Sequence, residues 1–258
     1  MNLLEILKKF FNKNLVSGKP VLLAYSGGVD SSCLLDLILK CKNEIDFDLH
    51  IVHVNHGWRQ ESDEEAEIIK EKLKPFNICF RYKKFEFSSE RNLENELRNK
   101  RIEFFECLYK KHHYQALILA HQKDDLAETV LKRVLEGANL FSITSMQESA
   151  AFKEMVVWRP LLKVSRKEIL DYLHSNNIEY FLDKTNENIK YLRAKMRKDI
   201  LPYLQKNFNK EIIDNLVNHW NPSRSRFEAV DSSTESLSPW KGYVVWSRQN
   251  NVKMVVRT

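Results

Sequence analysis

The sequence predicts an α/β fold: a doubly wound parallel sheet, then a helical extension and a short C-terminal appendage. Three observations carry this. Strand-length apolar runs at 21–24, 48–57, 77–82 and 116–120 alternate with longer stretches of helical periodicity, the pattern of repeated strand–helix–strand units. The first and fourth runs are apolar without interruption, as strands covered on both faces are. Polar or glycine-bearing residues follow the runs at 25–28, 55–57 and 121–125, at the carboxyl ends where open parallel sheets bind ligands.

Taken in order, residues 3–11 read as an amphipathic helix covering the sheet. They mix acidic and basic residues and end in no cleavage-like site, so they are not read as a signal peptide. Pro20 breaks the chain before the first strand, which enters the turn Tyr25-Ser26-Gly27-Gly28-Val29-Asp30-Ser31-Ser32 and leaves as an apolar helix. Two of the six glycines of the chain fall in this turn. Paired glycines leave backbone N–H groups accessible to a close ligand, and a helix start adds unpaired donors and a positive dipole end. Ser26, Ser31 and Ser32 contribute hydroxyls, and Asp30 could hold magnesium. The turn therefore reads as a phosphate site. The Gly-x-x-x-x-Gly-Lys-Ser/Thr loop and the Gly-x-Gly-x-x-Gly fingerprint are both absent.

The second strand ends in His53, Asn55, His56 and Gly57, which places three polar side chains at the same sheet edge. A helix over 61–73 begins with the capping pair Ser62 and Glu65. A third strand covers 77–82, and a long helix over 93–111 carries Arg98 and Arg101 on one face, suited to phosphate or a base edge. The fourth strand runs into His121-Gln122-Lys123-Asp124-Asp125-Leu126-Ala127-Glu128. Asp125 and Glu128 share a helical face, and with His121 they aim acid, base and metal-ligand groups at the edge that bears the phosphate turn.

Residues 141–154 read as a loop. Ser165 and Glu168 form another capping box, opening a helix to about 176, and a turn at 183–186 precedes a helix from about 189. Seven Lys or Arg residues against one acid occupy 190–210, including Arg193, Lys195, Arg197 and Lys198. Tyr191, Tyr203 and Phe208 are interleaved, a pattern suited to a phosphate backbone and unpaired bases. Ser-rich 222–239 reads as a linker, and 243–246 with 252–256 as a hairpin remnant or part of a small accessory domain too short to hold a core alone.

The bulk figures fit a globular chain of 258 residues with an acidic partner, since the net charge is +6 and 43% of residues are hydrophobic. No run approaches the ~20 apolar residues of a membrane helix. The four cysteines form no Cys-x-x-Cys pair, which speaks against a zinc ribbon or iron–sulfur site and fits a reducing, cytoplasmic setting.

Ser26 to Ser31 resemble the Ser-Gly-Gly-x-Asp-Ser loop of the N-type ATP pyrophosphatases. His53-Val54-Asn55-His56-Gly57, Asn92-Leu93-Glu94 with Arg98 and Arg101, Ala120-His121 through Glu128-Thr129, Arg159-Pro160-Leu161-Leu162, and Asp183, Thr185, Asn186, Arg193 and Arg197 follow in order. Over about 15–210 this series is similar to the tRNA(Ile)-lysidine synthetase family, departing at Ile102, Leu126 and Ala194, where that family usually carries Tyr, Gln and Asn. The resemblance implies an adenine nucleotide alpha hydrolase-like nucleotide-binding domain over 1–186, a basic helical extension over 187–221, and a linker and accessory tail over 222–258. It implies ATP and Mg2+ as cofactors. It also implies a tRNA(Ile) with a wobble cytidine and free L-lysine as substrates, no membrane association, and an assembly that includes a homodimer among its options. On that reading Ser26, Gly27, Gly28, Val29, Asp30 and Ser31 hold the nucleotide. Asp30, His121, Asp125, Glu128 and Arg193 serve catalysis, with Asp30 and Asp125 as metal or lysine-amine carboxylates. His53, Asn55, His56, Arg98, Arg101, Lys195, Arg197 and Lys198 face substrate or RNA. A tRNA thiolase of the same superfamily, and a non-catalytic nucleotide-dependent RNA-binding protein, are the competing expectations.

Overall fold

The computed structural model describes residues 2–55, 61–85, 93–137, 146–181, 192–208, 210–219, 244–246 and 253–255. The side chain of Ser62, and with it the capping pair expected with Glu65, lies outside this set, as do the turn at 183–186 and the linker at 222–239.

The first helix, α1 (Leu3–Asn14), is capped by the Asn2 side chain, which accepts from the Leu4 N–H at 3.1 Å. Its i, i+4 stripe of Leu3, Leu7 and Phe11 is buried, and Phe11 meets Phe47 edge-on. Each such side chain contributes roughly 1.5–3 kcal/mol by leaving water. Strand β1 (Val21–Ala24) sits at the centre of a six-stranded sheet, and α2 (Val29–Lys42) follows it. Strand β2 (Leu49–Asn55), α3 (Glu61–Leu73) and β3 (Cys79–Lys84) continue outward on one side. The chain then returns through α4 (Leu93–His112) to β4 (Ala116–Ile118) on the other side of β1, and α5 (Lys123–Leu135) follows.

β1 pairs in parallel with both neighbours, Val21 lying opposite Leu49 of β2 and Ala116 of β4. Its unbroken apolar sequence follows from that position, because both of its faces are covered. Val21 and Leu23 face a cluster built with α1, α2 and α3, while Leu22 faces α4 through Phe105 and Leu108. β3 is the outer parallel strand and is mostly exposed, ending in Lys83 and Lys84, charges that discourage edge pairing.

The loop expected over 141–154 is corrected. Residues 138–145 are outside the described set, but β5 (Ser149–Phe152) and β6 (Met155–Trp158) form an antiparallel hairpin, with β6 parallel to β4. The turn is Lys153-Glu154, with Lys153 at φ +52. A two-residue turn of this kind normally advertises itself with Asn or Gly, and this one has neither. The sheet order is β3-β2-β1-β4-β6-β5. Chain direction across the sheet reverses between β1 and β4, so their carboxyl ends frame a crevice.

Helix α6 (Arg166–Ser175) carries the expected Ser165/Glu168 capping box and packs beside α2. The basic extension begins as α7 (Leu192–Lys195), passes through a π-helical turn at Met196–Ile200 and continues as α8 (Leu201–Phe208). The next helix, α9 (Ile212–His219), packs on α5. The tail contributes β7 (Val244–Trp246) and β8 (Lys253–Val255), paired antiparallel as the expected hairpin. Among the described residues no helix is long and apolar enough to cross a membrane.

Candidate active site

The phosphate turn is organised by its own short-range hydrogen bonds. Ser31 Oγ donates to the Gly28 carbonyl at 3.1 Å and lies 3.0 Å from Ser26 Oγ. Ser32 Oγ donates to the Gly27 carbonyl at 3.1 Å and meets the Tyr25 hydroxyl at 3.2 Å. Gly28 is the N-cap of α2 and its side is open: a Cβ there would come no nearer than 3.6 Å to another atom.

Gly27 departs from expectation. It is buried, with the Phe181 ring and Ile69 covering the position a side chain would take, and its carbonyl accepts from the Phe181 N–H at 2.9 Å. Its φ is +80. Glycine is required here by the left-handed backbone and the Phe181 ring, not by a ligand approaching its Cα. The bare amide surface of the turn is therefore Gly28 and the first turn of α2, with Val29 buried behind it.

Opposite the turn, across the crevice between β1 and β4, α5 begins. Gln122 caps it: the Gln122 side chain accepts from the Asp124 N–H at 2.7 Å, and Asp125 Oδ2 accepts from the Gln122 N–H at 3.0 Å. Asp125 Oδ1 and Glu128 Oε1 both take Arg197, at 2.9 Å to Nη2 and 2.6 Å to Nε. Glu128 is only 2% exposed. Burial works against the Arg197 charge, but Glu128 and Asp125 outweigh it and hold the guanidinium protonated. Arg197, expected on an RNA face, is turned inward onto α5. Lys195 and Lys198, its neighbours, are exposed, as are Tyr203 and Phe208 on α8.

Asp30 lies in the first turn of α2, beside this cluster. Burial pushes its carboxyl up to about 6, with Arg166 opposing and Asp125 adding to the shift. Asp30 Oδ2 accepts from Arg166 Nη1 at 3.4 Å, while Oδ1 is buried without a hydrogen-bond partner. Three carboxylates (Asp30, Asp125, Glu128) face two guanidinia (Arg166, Arg197), and a fourth, Asp124, accepts from the Arg166 backbone N–H, leaving a formal charge of −2 among these six side chains.

Asp30 and Asp125 are the carboxylates expected to hold a metal. Among the described residues no group of three or more His, Cys, Asp or Glu is arranged to hold a metal. Both Asp125 oxygens are engaged, whereas Asp30 Oδ1 is not. Magnesium usually takes only one or two carboxylates and completes its shell from phosphate and water.

His53 and Asn55, expected to face substrate, are turned into the protein. His53 is 5% exposed, its Nδ1 is 2.9 Å from the Tyr25 carbonyl, and its ring stacks on Tyr82. Burial holds its pKa below the usual imidazole range despite that carbonyl contact. Asn55 is 2% exposed and donates to Asp63 Oδ1 at 2.8 Å and to the Tyr82 hydroxyl at 2.9 Å. Both brace the end of β2. His56 and the side chain of Arg193 lie outside the described residues. His121 is half-buried at the β4–α5 junction. Arg98 is exposed and Arg101 half-buried on α4, the helix covering the sheet face opposite α2. A cavity of about 340 Å3 lies behind the turn, lined by Tyr25, Ser32, Ile69, Lys72 and Phe76 among others. None of Asp30, Asp125, Glu128 or Arg197 lines it.

Sequence reasoning missed Arg166 and Phe181. Arg166 was read only as part of a capping box, and Phe181 as nothing. No local pattern marks either, because each reaches the site from a distant segment.

With this geometry in hand, comparison with known proteins is informative. Residues 2–204 match the model of the PP-loop domain family. The tRNA(Ile)-lysidine synthase of Protochlamydia amoebophila is 37% identical over 218 residues, 84% of this chain and 48% of that protein. The synthase of Chlamydia trachomatis serovar L2 is 37% identical over 232 residues, 88% of this chain and 70% of that protein. The chain thus spans about half the length of the first relative and more than two thirds of the second. Among solved structures, the U34-tRNA thiolase NcsA from Methanococcus maripaludis is similar at a TM-score of 0.69, with 17% identity, covering 89% of this chain and 81% of that one. At that identity the likeness speaks to the fold alone.

Proposed function

Since the chain belongs to the PP-loop domain family and, within it, to the tRNA(Ile)-lysidine synthases, we propose that it carries out ATP-dependent ligation of lysine to C2 of the wobble cytidine of an isoleucine tRNA. The observation that carries this reading is the crevice itself: an amide-lined helix start after β1 faces a carboxylate-bearing helix start after β4, where the sheet changes direction.

Two displacements make up the reaction. The cytosine O2 attacks the α-phosphorus of ATP, the bond from that phosphorus to the bridging oxygen breaks, and pyrophosphate leaves with the electron pair. An amine of free lysine then attacks C2, AMP leaves, and the amine gives up its proton. The Gly28 N–H, the α2 start, and the Ser26 and Ser31 hydroxyls suit the phosphates, orienting them for in-line attack. Asp30, with one buried unpartnered oxygen, would hold magnesium together with phosphate oxygens. Bound there, the ion would supply charge neutralisation for the triphosphate. Asp125 and Glu128 already hold one cation, Arg197, which supports a role for them in receiving the lysine ammonium. Lys195, Lys198, Tyr203 and Phe208 form an exposed basic and aromatic face suited to tRNA, whose target base must be splayed from its stack. A cytoplasmic location follows from the substrates.

The cysteine beside the turn gives no support to sulfur transfer. Cys33, the cysteine nearest the turn in sequence, is buried, and burial pushes its thiol up to about 12. A reactive thiolate needs the opposite setting.

The deciding test is incubation with a tRNA(Ile) bearing a wobble cytidine, ATP, Mg2+ and labelled lysine. Lysine incorporation with one AMP and one pyrophosphate per turnover is the expected result. Sulfur transfer from a donor would favour the thiolase, and tight tRNA binding with neither product would make the chain a binding protein.

A further inference from the structure

Three helix starts meet at the crevice: α2 after Gly28, α5 after Gln122 and α6 after Ser165. One residue ties them together. The Arg166 backbone N–H donates to Asp124 Oδ2 at 3.0 Å, joining α6 to α5, and Arg166 Nη1 donates to Asp30 Oδ2 at 3.4 Å, joining α6 to α2.

The two guanidinia of the site are held differently. Arg197 makes two short contacts, at 2.6 and 2.9 Å, with carboxylates of a single helix face. Arg166 makes one side-chain contact, at the long end of hydrogen bonding, and its side chain is 35% exposed. A guanidinium has five N–H donors in a planar fork, and this contact occupies one of them. Of the other described cations at these helix starts, Lys123 is paired with Asp214 and Lys167 is exposed. The charge that builds up as ATP is cleaved resides on the departing pyrophosphate, and Arg166 is a cation with donors left over whose side chain already reaches Asp30 at the start of α2.

We propose that Arg166 grips the β- and γ-phosphates of ATP and stays with them as pyrophosphate leaves. This rests on the reading that the turn at Gly28 binds ATP. As the bond from O2 to the α-phosphorus forms and the bond to the bridging oxygen breaks, the released electron pair lands on an oxygen facing the Arg166 fork. No proton moves in this step. The weak contact with Asp30 orients the fork before ATP arrives and yields when the phosphates take it, as bidentate phosphate pairing is the stronger interaction. Arg166 is on this account a catalytic residue, and Arg197 a positioning one.

The test uses the full chain with Mg2+ and measures dissociation constants for ATP, pyrophosphate and AMP in wild type, Arg166→Lys and Arg166→Ala. A lost charge-assisted contact corresponds to a roughly tenfold to hundredfold loss of affinity. Arg166→Ala is expected to show that loss for ATP and pyrophosphate with AMP unchanged, and Arg166→Lys to recover part of it. Equal weakening of all three ligands would make Arg166 a merely structural brace and overturn the proposal, as would no change in any. Should Arg166→Ala not fold, Arg166→Gln carries the same comparison. Wild-type chain that binds neither ATP nor pyrophosphate overturns the ATP reading itself, and is told apart because it needs no variant.

Discussion

The two halves of the crevice are built in opposite ways. The phosphate turn is held mainly by bonds between residues two to seven apart, Tyr25 with Ser32 being the longest of the Ser26, Ser31 and Ser32 set. The carboxylate half is held by bonds spanning 42, 69, 72 and 136 residues, from Arg166 and Arg197 to Asp30, Asp124, Asp125 and Glu128. The first can form as soon as a strand and a helix meet. The second exists only when α2, α5, α6 and the turn before α8 are all in place. Phe181 is the long-range exception within the turn, since its N–H holds the Gly27 carbonyl from a segment 154 residues away in number.

If this contrast is right, the largest effects come from the long-range half. Arg197→Ala takes a guanidinium from a carboxylate that is 2% exposed. Breaking one side of a buried pair costs about 3–5 kcal/mol, which a urea midpoint would register. Arg197→Met with Glu128→Leu should recover most of it; a double variant as unstable as the single would mean that the pair is not the cause.

Within the turn, the two glycines should separate. Gly27→Ala forces a side chain at φ +80 into the Phe181 ring, 2.5 Å from the new Cβ. Left-handed strain and overpacking together cost about 2–4 kcal/mol. Gly28→Ala meets nothing nearer than 3.6 Å and should change stability by less than about 0.5 kcal/mol, while weakening ATP binding. Thermal unfolding and nucleotide titration of both variants check this; equal destabilisation would erase the distinction.

Asp30 joins the halves, and its pH dependence has a definite sign. Its folded-state pKa, about 6, lies above the ordinary carboxylate value, so the folded state holds the proton more tightly. That contribution is complete below about pH 4 and is lost as pH rises through 6. Asp30→Asn should therefore raise stability at pH 7 by about 1–3 kcal/mol, with the gain vanishing near pH 4, and should abolish pyrophosphate release. A gain independent of pH would refute the burial argument.

The smallest effect on stability is expected at the surface. Lys195→Ala with Lys198→Ala should leave unfolding nearly unchanged yet weaken tRNA binding and lower its salt slope by roughly 1–2. Filter binding across a salt series measures this. Arg197 belongs to a different class from these lysines although it stands between them in the chain.

The strand–helix alternation, the buried central strand and the phosphate turn were legible in the sequence because each is a short-range pattern of apolar period, glycine and cap. Asp125 and Glu128 were legible as a pair because residues three apart on one helix share a face. The hairpin of β5 and β6 was not, since Lys153-Glu154 carries no turn signal. His53 and Asn55 were recognised as polar residues at a strand end. Whether such residues meet solvent or protein depends on neighbours such as Tyr82 and Asp63, which pairing with β3 and packing of α3 supply.

By itself, then, the sequence determined the strand–helix alternation as far as α5, the sheet edge at which polar groups gather and the residue types found there. Only the tertiary structure decided that Gly27 lies beneath Phe181, that Arg197 turns inward, and that Arg166 stands between two helix starts. The physical reason is range. Backbone conformation and capping depend on near neighbours in the chain, whereas the partner of a charge is whichever opposite charge the folded chain brings within a few ångströms, however many residues lie between.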